Sequence, residues 1–180
     1  AESLLQSSPF VDINCGCPKT KIRKKGAGSA LLSEPQQLLK IVNSVRKMIT
    51  LPLTVKLRIQ GNGNDVDLAK AIEQAGADAL IVHGRRWNDD YNIDCNFAQI
   101  AAIKRAVSIP VIANGDISDK ASLTKALINS GCDAYMIARA GTGKPWLYQN
   151  LLDKTESHPD TDTINEIRLN PVTCTPKKRC

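Results

Sequence analysis

Five short apolar runs, each broken off by polar or charged residues, recur along the chain with stretches of helical periodicity between them. Phe10 to Asn14, Leu53 to Arg58, Ala79 to His83, Val111 to Asn114 and Tyr135 to Ala138 read as strands. Between the first two, Leu38, Leu39, Val42, Val45 and Ile49 predict one apolar helix face, with Ser33 as the N-cap and Pro35 in the first turn. Further helices are expected from Asp65 to Ala75, stopped by Gly76, from Asn96 to Val107, from a cap at Ser118 to Gly131, and from Lys144 to Leu152. Glu2 to Ser8 reads as the end of a helix.

The strand cores are mostly apolar along their whole length, the pattern of a parallel sheet covered by helices. Gly76-Ala77-Asp78-Ala79-Leu80 and Gly131-Cys132-Asp133-Ala134-Tyr135 look like one helix-to-strand joint used twice. Repetition of a βα unit favours a TIM (β/α)8 barrel over a doubly wound sheet. The expected fold class is therefore α/β of the TIM-barrel type, and incomplete, since such barrels have eight strands and run to about 250 residues. Residues 1–153 are expected to form this partial barrel. Beyond Asp153 the periodicity stops, and residues 154–180, ending in Lys177-Lys178-Arg179-Cys180, are expected to be a flexible tail.

Composition narrows the picture. At 180 residues the chain is long enough for a real core, and no run of about 18 apolar residues suggests a membrane span. Ala1 to Pro9 lack both a basic start and a continuous apolar segment, so no secretory leader is expected. The net charge of +6 favours an anionic partner. Six cysteines, at positions 15, 17, 95, 132, 174 and 180, show no CxxC pairing and no nearby His pair. Neither a metal site nor a disulfide framework is indicated, and a cytoplasmic setting fits best. Oligomeric state is not legible.

In a parallel barrel the reactive groups sit at the carboxyl ends of the strands. Those ends carry Asn14 with Cys17, Lys56 with Arg58, His83 with Arg85, Asn114 with Asp116, and Arg139. Lys56 and Arg58 share the face opposite Val55 and Leu57, which makes them either two cations aimed into the mouth or the solvated face of an edge strand. The loops after the last two strands hold Asn114-Gly115-Asp116 and Ala138-Arg139-Ala140-Gly141, where small residues let backbone N–H groups approach an anion. Lys19, Lys21, Arg23, Lys24 and Lys25 directly follow Cys17, as a solvated face or as a loop that can meet phosphates. Gly26-Ala27-Gly28-Ser29 is expected to keep the backbone mobile there. Cys15 and Cys132 are assigned to packing, and Trp146 and Leu147 to anchoring a helix.

Asp12-Ile13-Asn14-Cys15-Gly16-Cys17-Pro18 with Lys21, Gly26 to Leu32, Val55-Lys56-Leu57-Arg58, His83-Gly84-Arg85, Ala113-Asn114-Gly115-Asp116-Ile117 and Lys144-Pro145-Trp146 together resemble the tRNA-dihydrouridine synthase family over roughly residues 10–150. The resemblance implies FMN as cofactor, NADPH as reductant and reduction of the C5–C6 double bond of uridine in tRNA. It implies Cys17 as the acid that protonates C5, and a thiol, with an ordinary pKa of about 8.5, suits that task at neutral pH. Asn14, Lys21, Arg58 and Arg85 would meet the substrate. Lys56 and His83 would contact the flavin, with Asn114, Gly115, Asp116, Ala138 and Arg139 on its phosphate side. Ala138 stands where the family usually has Gly. The stretch corresponds to strands four to eight of the family's barrel, without the earlier strands or a C-terminal RNA-binding domain. Two alternatives stay open: an inactive remnant of that family that binds RNA weakly, or another FMN-dependent barrel oxidoreductase acting on a small molecule.

Overall fold

The computed structural model describes residues 8–152. All five expected strands form: β1 Val11–Cys15, β2 Leu53–Arg58, β3 Ala79–His83, β4 Val111–Asn114 and β5 Ala134–Met136. They lie in one parallel sheet in the order β1-β2-β3-β4-β5. Sequential order with no reversal is that of a barrel, because a doubly wound sheet turns back on itself at a switch point. The connections are α1 Thr20–Arg23, a 3-10 helix Gly28–Ser33, α2 Pro35–Met48, α3 Asp65–Gln74, α4 Phe97–Ala106 and α5 Lys120–Ser130.

Alternation within each strand divides the sheet into two faces. Leu53, Val55, Leu57, Leu80, Val82, Val111 and Ala113 are fully buried and pack in one core with Leu38 and Val42 of α2, Ile72 of α3, Ile100 and Ile103 of α4 and Ala126 of α5. The opposite face belongs to the barrel interior, and register sorts its side chains into rows. Asn14, Lys56, Ile81 and Ile112 stand side by side, and one step further toward the carboxyl ends come Arg58, His83, Asn114 and Met136.

The repeated joint has a physical cause at the opposite end of the strands. The Asp78 carboxylate accepts from Leu53 N at the start of β2 and from Arg46 of α2, at 2.7 and 2.8 Å. The Asp133 carboxylate accepts from Val111 N at the start of β4 and pairs with Lys104 of α4, both at 2.7 Å. In each unit one carboxylate closes the preceding strand onto the helix that precedes it. Both carboxylates are about half exposed (52% and 42%), so the ion pairs themselves add little and the bond to the strand N–H carries the effect. Asp78→Ala and Asp133→Ala are each expected to cost about 1–2 kcal/mol in a thermal or denaturant melt. Site chemistry should be unchanged, because both residues sit at the amino ends of the strands.

Several boundaries differ from the sequence reading. Ser33 does not cap α2: the chain is already in the 3-10 helix up to Ser33, and Glu34 occupies the cap position with no side-chain hydrogen bond. Gly26 to Ser29, expected to be mobile, leads into that 3-10 helix, where Gly28 and Ser29 are buried. At α5 the cap is Asp119 rather than Ser118, in a reciprocal capping box with Ser122. β5 begins at Ala134 and ends at Met136, one and two residues earlier than expected, and Cys132 precedes it.

A second compact unit begins at Ala140. Its described part contains the short helix α6 Leu147–Leu152, which starts three residues later than expected, and Tyr148 packs directly against Gly141. The tail expected beyond residue 153 and the helix end expected at Glu2 to Ser8 lie outside the described residues, apart from Ser8 itself. Among the described residues, no helix is long and apolar enough to cross a membrane.

Candidate active site

The carboxyl ends of β1 to β4 bring Asn14, Cys17, Lys56, Arg58, His83, Asn114 and Asp116 to one mouth. Cys17 sits on the turn that ends β1, and that turn is fixed from several sides. Asn14 Oδ1 accepts from Gly16 N and Cys17 N at 3.0 and 3.1 Å. Arg58 Nε donates to Gly16 O at 2.9 Å, and Ser29 N donates to Cys17 O at 3.0 Å. Gly28 is required for this approach: its φ is +60°, and a Cβ there would lie 2.7 Å from Cys17 O. Asn14 thus holds the thiol's own backbone, a role open to it whatever else it meets.

Lys56 Nζ donates to Asn114 Oδ1 at 3.1 Å, and Asn114 Nδ2 donates to Met136 O at 2.9 Å. These two bonds tie the sheet's interior face together from β2 to β5. Burial, and then the neighbouring Arg58 charge, lower the Lys56 pKa. Lys56 and Arg58 therefore point into the mouth as half-buried cations, not onto a solvated edge. Burial also lowers the Arg58 pKa. Beside Arg58 in the register, His83 is pushed down to about 3, first by burial and then by the charges of Arg58, Lys56 and Arg85, so its ring is neutral at pH 7.

That shift has a sign. An unfolded histidine titrates near 6.5, so between about pH 6.5 and 3 the unfolded chain binds a proton that the folded one refuses, and stability falls as pH drops. His83→Gln should flatten the part of the slope between about pH 7 and 5, measured by thermal melts, where carboxylates add little. Equal slopes in both proteins would exclude His83 as its source.

Arg85 is not aimed at open space. Its side chain is 3% exposed, and Nη2 lies 2.7 and 2.8 Å from the two Asp116 carboxylate oxygens. Its Nε donates to Ile93 O at 2.6 Å and Nη2 to Tyr91 O at 3.2 Å. Asp116 also accepts from Cys95 N at 2.8 Å. Together they shape the loop between β3 and α4. Asp116 adopts φ 50°, and Gly115 before it φ 132°. A Cβ at Gly115 would lie 2.6 Å from Cys95 Sγ and 3.2 Å from the His83 ring, so only glycine fits against Cys95 and His83 here.

Arg139 is exposed, stacks over the Tyr91 ring at 4.2 Å and lies 3.9 Å from Asp116. Ala138 and Lys21 are exposed. Burial pushes Cys15 up to about 12 and Cys95 up to about 11, as expected of packing thiols, and raises Cys132 as well. Sequence reasoning missed Ser29, Trp87, Tyr91 and Cys95. Two exposed aromatics in a charged loop were the available signal for Trp87 and Tyr91.

A parallel βα arc with polar side chains gathered at the carboxyl ends of its strands is the architecture of part of a TIM barrel. The fold agrees with solved structures at low identity. A dihydrodipicolinate synthase from Agrobacterium tumefaciens superposes with TM-score 0.56 at 16% identity, covering 84% of this chain and 52% of that one. A phosphonopyruvate hydrolase complexed with oxalate and Mg++ gives 0.55 at 16%, covering 87% and 67%. The dihydrouridine synthase family model matches residues 4–175, and the chain belongs to that family. Among curated relatives, it is 44% identical over 145 residues to tRNA-dihydrouridine synthase B of Pseudomonas aeruginosa, covering 79% of this chain and 44% of that protein. It is 43% identical over 166 residues to the Klebsiella pneumoniae protein of the same name, covering 89% and 52%. The chain thus spans about half the length of these relatives.

Proposed function

We propose that this chain carries the chemistry of a tRNA-dihydrouridine synthase: NADPH-driven, FMN-dependent reduction of the uracil C5–C6 double bond in tRNA, with Cys17 as the proton donor. The observation that carries this reading is the placement of the Cys17 turn beside a row of cations and amides on the interior face of the sheet. The donor set fits FMN. Gly115 in the loop after β4 carries no side chain, and Arg139 with the small residue Ala138 follows β5, as an anionic phosphate approached by backbone N–H groups requires. Lys56, with His83 kept neutral, offers one positive charge and one uncharged donor or acceptor to the ring system.

When bound, FMN supplies the hydride that C6 accepts. The remaining work falls to side chains of this chain. Cys17 Sγ–H holds the proton destined for C5. Asn14 and Arg58 fix the turn that carries it, and their remaining hydrogen-bonding capacity faces the uracil. Lys21, exposed on α1 beside this turn, is suited to a tRNA phosphate. Arg85, with every described contact inside the protein, serves the site by shaping the loop and neutralising Asp116, the residue after Gly115.

Titrating the purified chain with FMN, and reading the flavin absorption together with the melting midpoint, tests the cofactor assignment. Retained flavin with a raised midpoint is expected, since a ligand at 100 times its Kd stabilises by about 2.7 kcal/mol. A midpoint indifferent to FMN would refute it.

A further inference from the structure

We infer that Arg23 and Trp87 form a clasp that fixes the Cys17 turn, so that both act as positioning residues for the thiol. This rests on the reading of Cys17 as the reacting group. The Arg23 guanidinium carbon lies 3.6 Å from the Trp87 ring centroid, and Arg23 Nη1 donates to Ser29 Oγ at 3.0 Å. Ser29 is fully buried and its own N–H donates to Cys17 O. A continuous path therefore runs from the Trp87 ring through one guanidinium and one serine to the backbone of the reacting residue.

A second tie runs alongside it. Arg58 Nε holds Gly16 O at 2.9 Å while its Nη1 donates to Arg86 O at 3.0 Å. Gly16 and Cys17 on one side, and Arg86 and Trp87 on the other, are thus joined by two separate guanidiniums. The loop end is itself a closed turn, with Arg86 N and Nε both donating to the Asp89 carboxylate at 2.7 and 2.9 Å. It presents Trp87 as a firm surface although the ring is 45% exposed.

Arg23 differs from the cations around it. Lys19, Lys21, Lys24 and Lys25 are exposed, whereas Arg23 is half-buried and turned inward. Its planar guanidinium can stack on an indole and hydrogen-bond in its own plane at the same time, which a lysine ammonium cannot do.

The test is cysteine-specific labelling of the full chain with iodoacetamide, resolved by mass spectrometry, with half-buried Cys132 as the internal reference. It needs neither flavin nor tRNA, so failure of the clasp is distinguishable from failure of the proton-donor assignment. Trp87→Leu and Arg23→Gln are each expected to raise the Cys17 rate relative to Cys132 by about fivefold, the shift that a contact of about 1 kcal/mol supports. Trp87→Phe, which keeps an aromatic face for the guanidinium, should stay near the parent rate. A Cys17 rate unchanged in Trp87→Leu would overturn the clasp. So would a parallel rise at Cys17 and Cys132 in both variants, because the effect would then be one of general loosening.

Discussion

Cys17→Ala is expected to lower uridine reduction by about 10²–10⁴-fold, the span that general acid catalysis by a positioned group provides, while FMN binding stays near that of the parent. The two halves of this expectation have different origins. The loss follows from removing the only described thiol that is both accessible and on the mouth: Cys15 and Cys95 are buried, and Cys132 lies before β5 at the other end of the sheet. The retained binding follows from the turn's construction, because Gly16, Cys17 and Ser29 are linked through backbone groups that alanine keeps. Cys17→Ser is the informative companion, since a hydroxyl preserves the size of the group but holds its proton far more tightly than a thiol.

Asp116→Ala is expected to be the most destabilising single change at the mouth. It strips the buried Arg85 guanidinium of its carboxylate, leaves Cys95 N without its acceptor and places alanine at φ 50°. Breaking a buried pair by removing one partner costs about 3–5 kcal/mol. The Asp116 side chain is 29% exposed, so the lower end applies. A melting midpoint lower by roughly 2–4 °C for each kcal/mol is the expected readout for a domain of this size. FMN affinity should fall with it, because Gly115 and the His83 ring lean on the same loop. Asp116→Asn, which tolerates the left-handed backbone and keeps one acceptor oxygen, should lose less. Equal losses in the two variants would place the effect in the charge alone.

How much of this was legible depended on the distance over which each feature is encoded. β2, β3 and β4 agree with the sequence reading to the residue, because each is an apolar run bounded by Pro, Gly or a charge within the run's own neighbourhood. β5 does not: it begins one residue earlier and ends two earlier, where the chain turns into a short 3-10 helix at Arg139–Gly141. The caps of α2 and α5 shifted by one residue because Ser33 and Glu34, or Ser118 and Asp119, are adjacent and both polar, and only the geometry of the incoming chain selects between them.

The site separates in the same way. Cys17, Lys56, Arg58, His83 and Asn114 were readable from the rule that strand ends face the mouth, combined with alternation. The structural work of Arg85 was not, since its partners come from as far away in sequence as Asp116. The stack of Arg23 on Trp87 was hidden likewise, because it joins two connecting segments whose packing no local pattern records. For the same reason, the repeated Gly-x-Asp joint was visible as repetition while its role in closing β2 and β4 was not.

The most direct test of the central reading is a product assay. The chain is incubated with FMN, NADPH and tRNA that lacks dihydrouridine, and the tRNA nucleosides are then weighed by mass spectrometry, with Cys17→Ala run in parallel. Uridine that gains the mass of two hydrogens with the parent chain, and does not with Cys17→Ala, is the expected result. A chain that binds FMN yet leaves every uridine unchanged, or a Cys17→Ala variant that reduces uridine as fast as the parent, would contradict it.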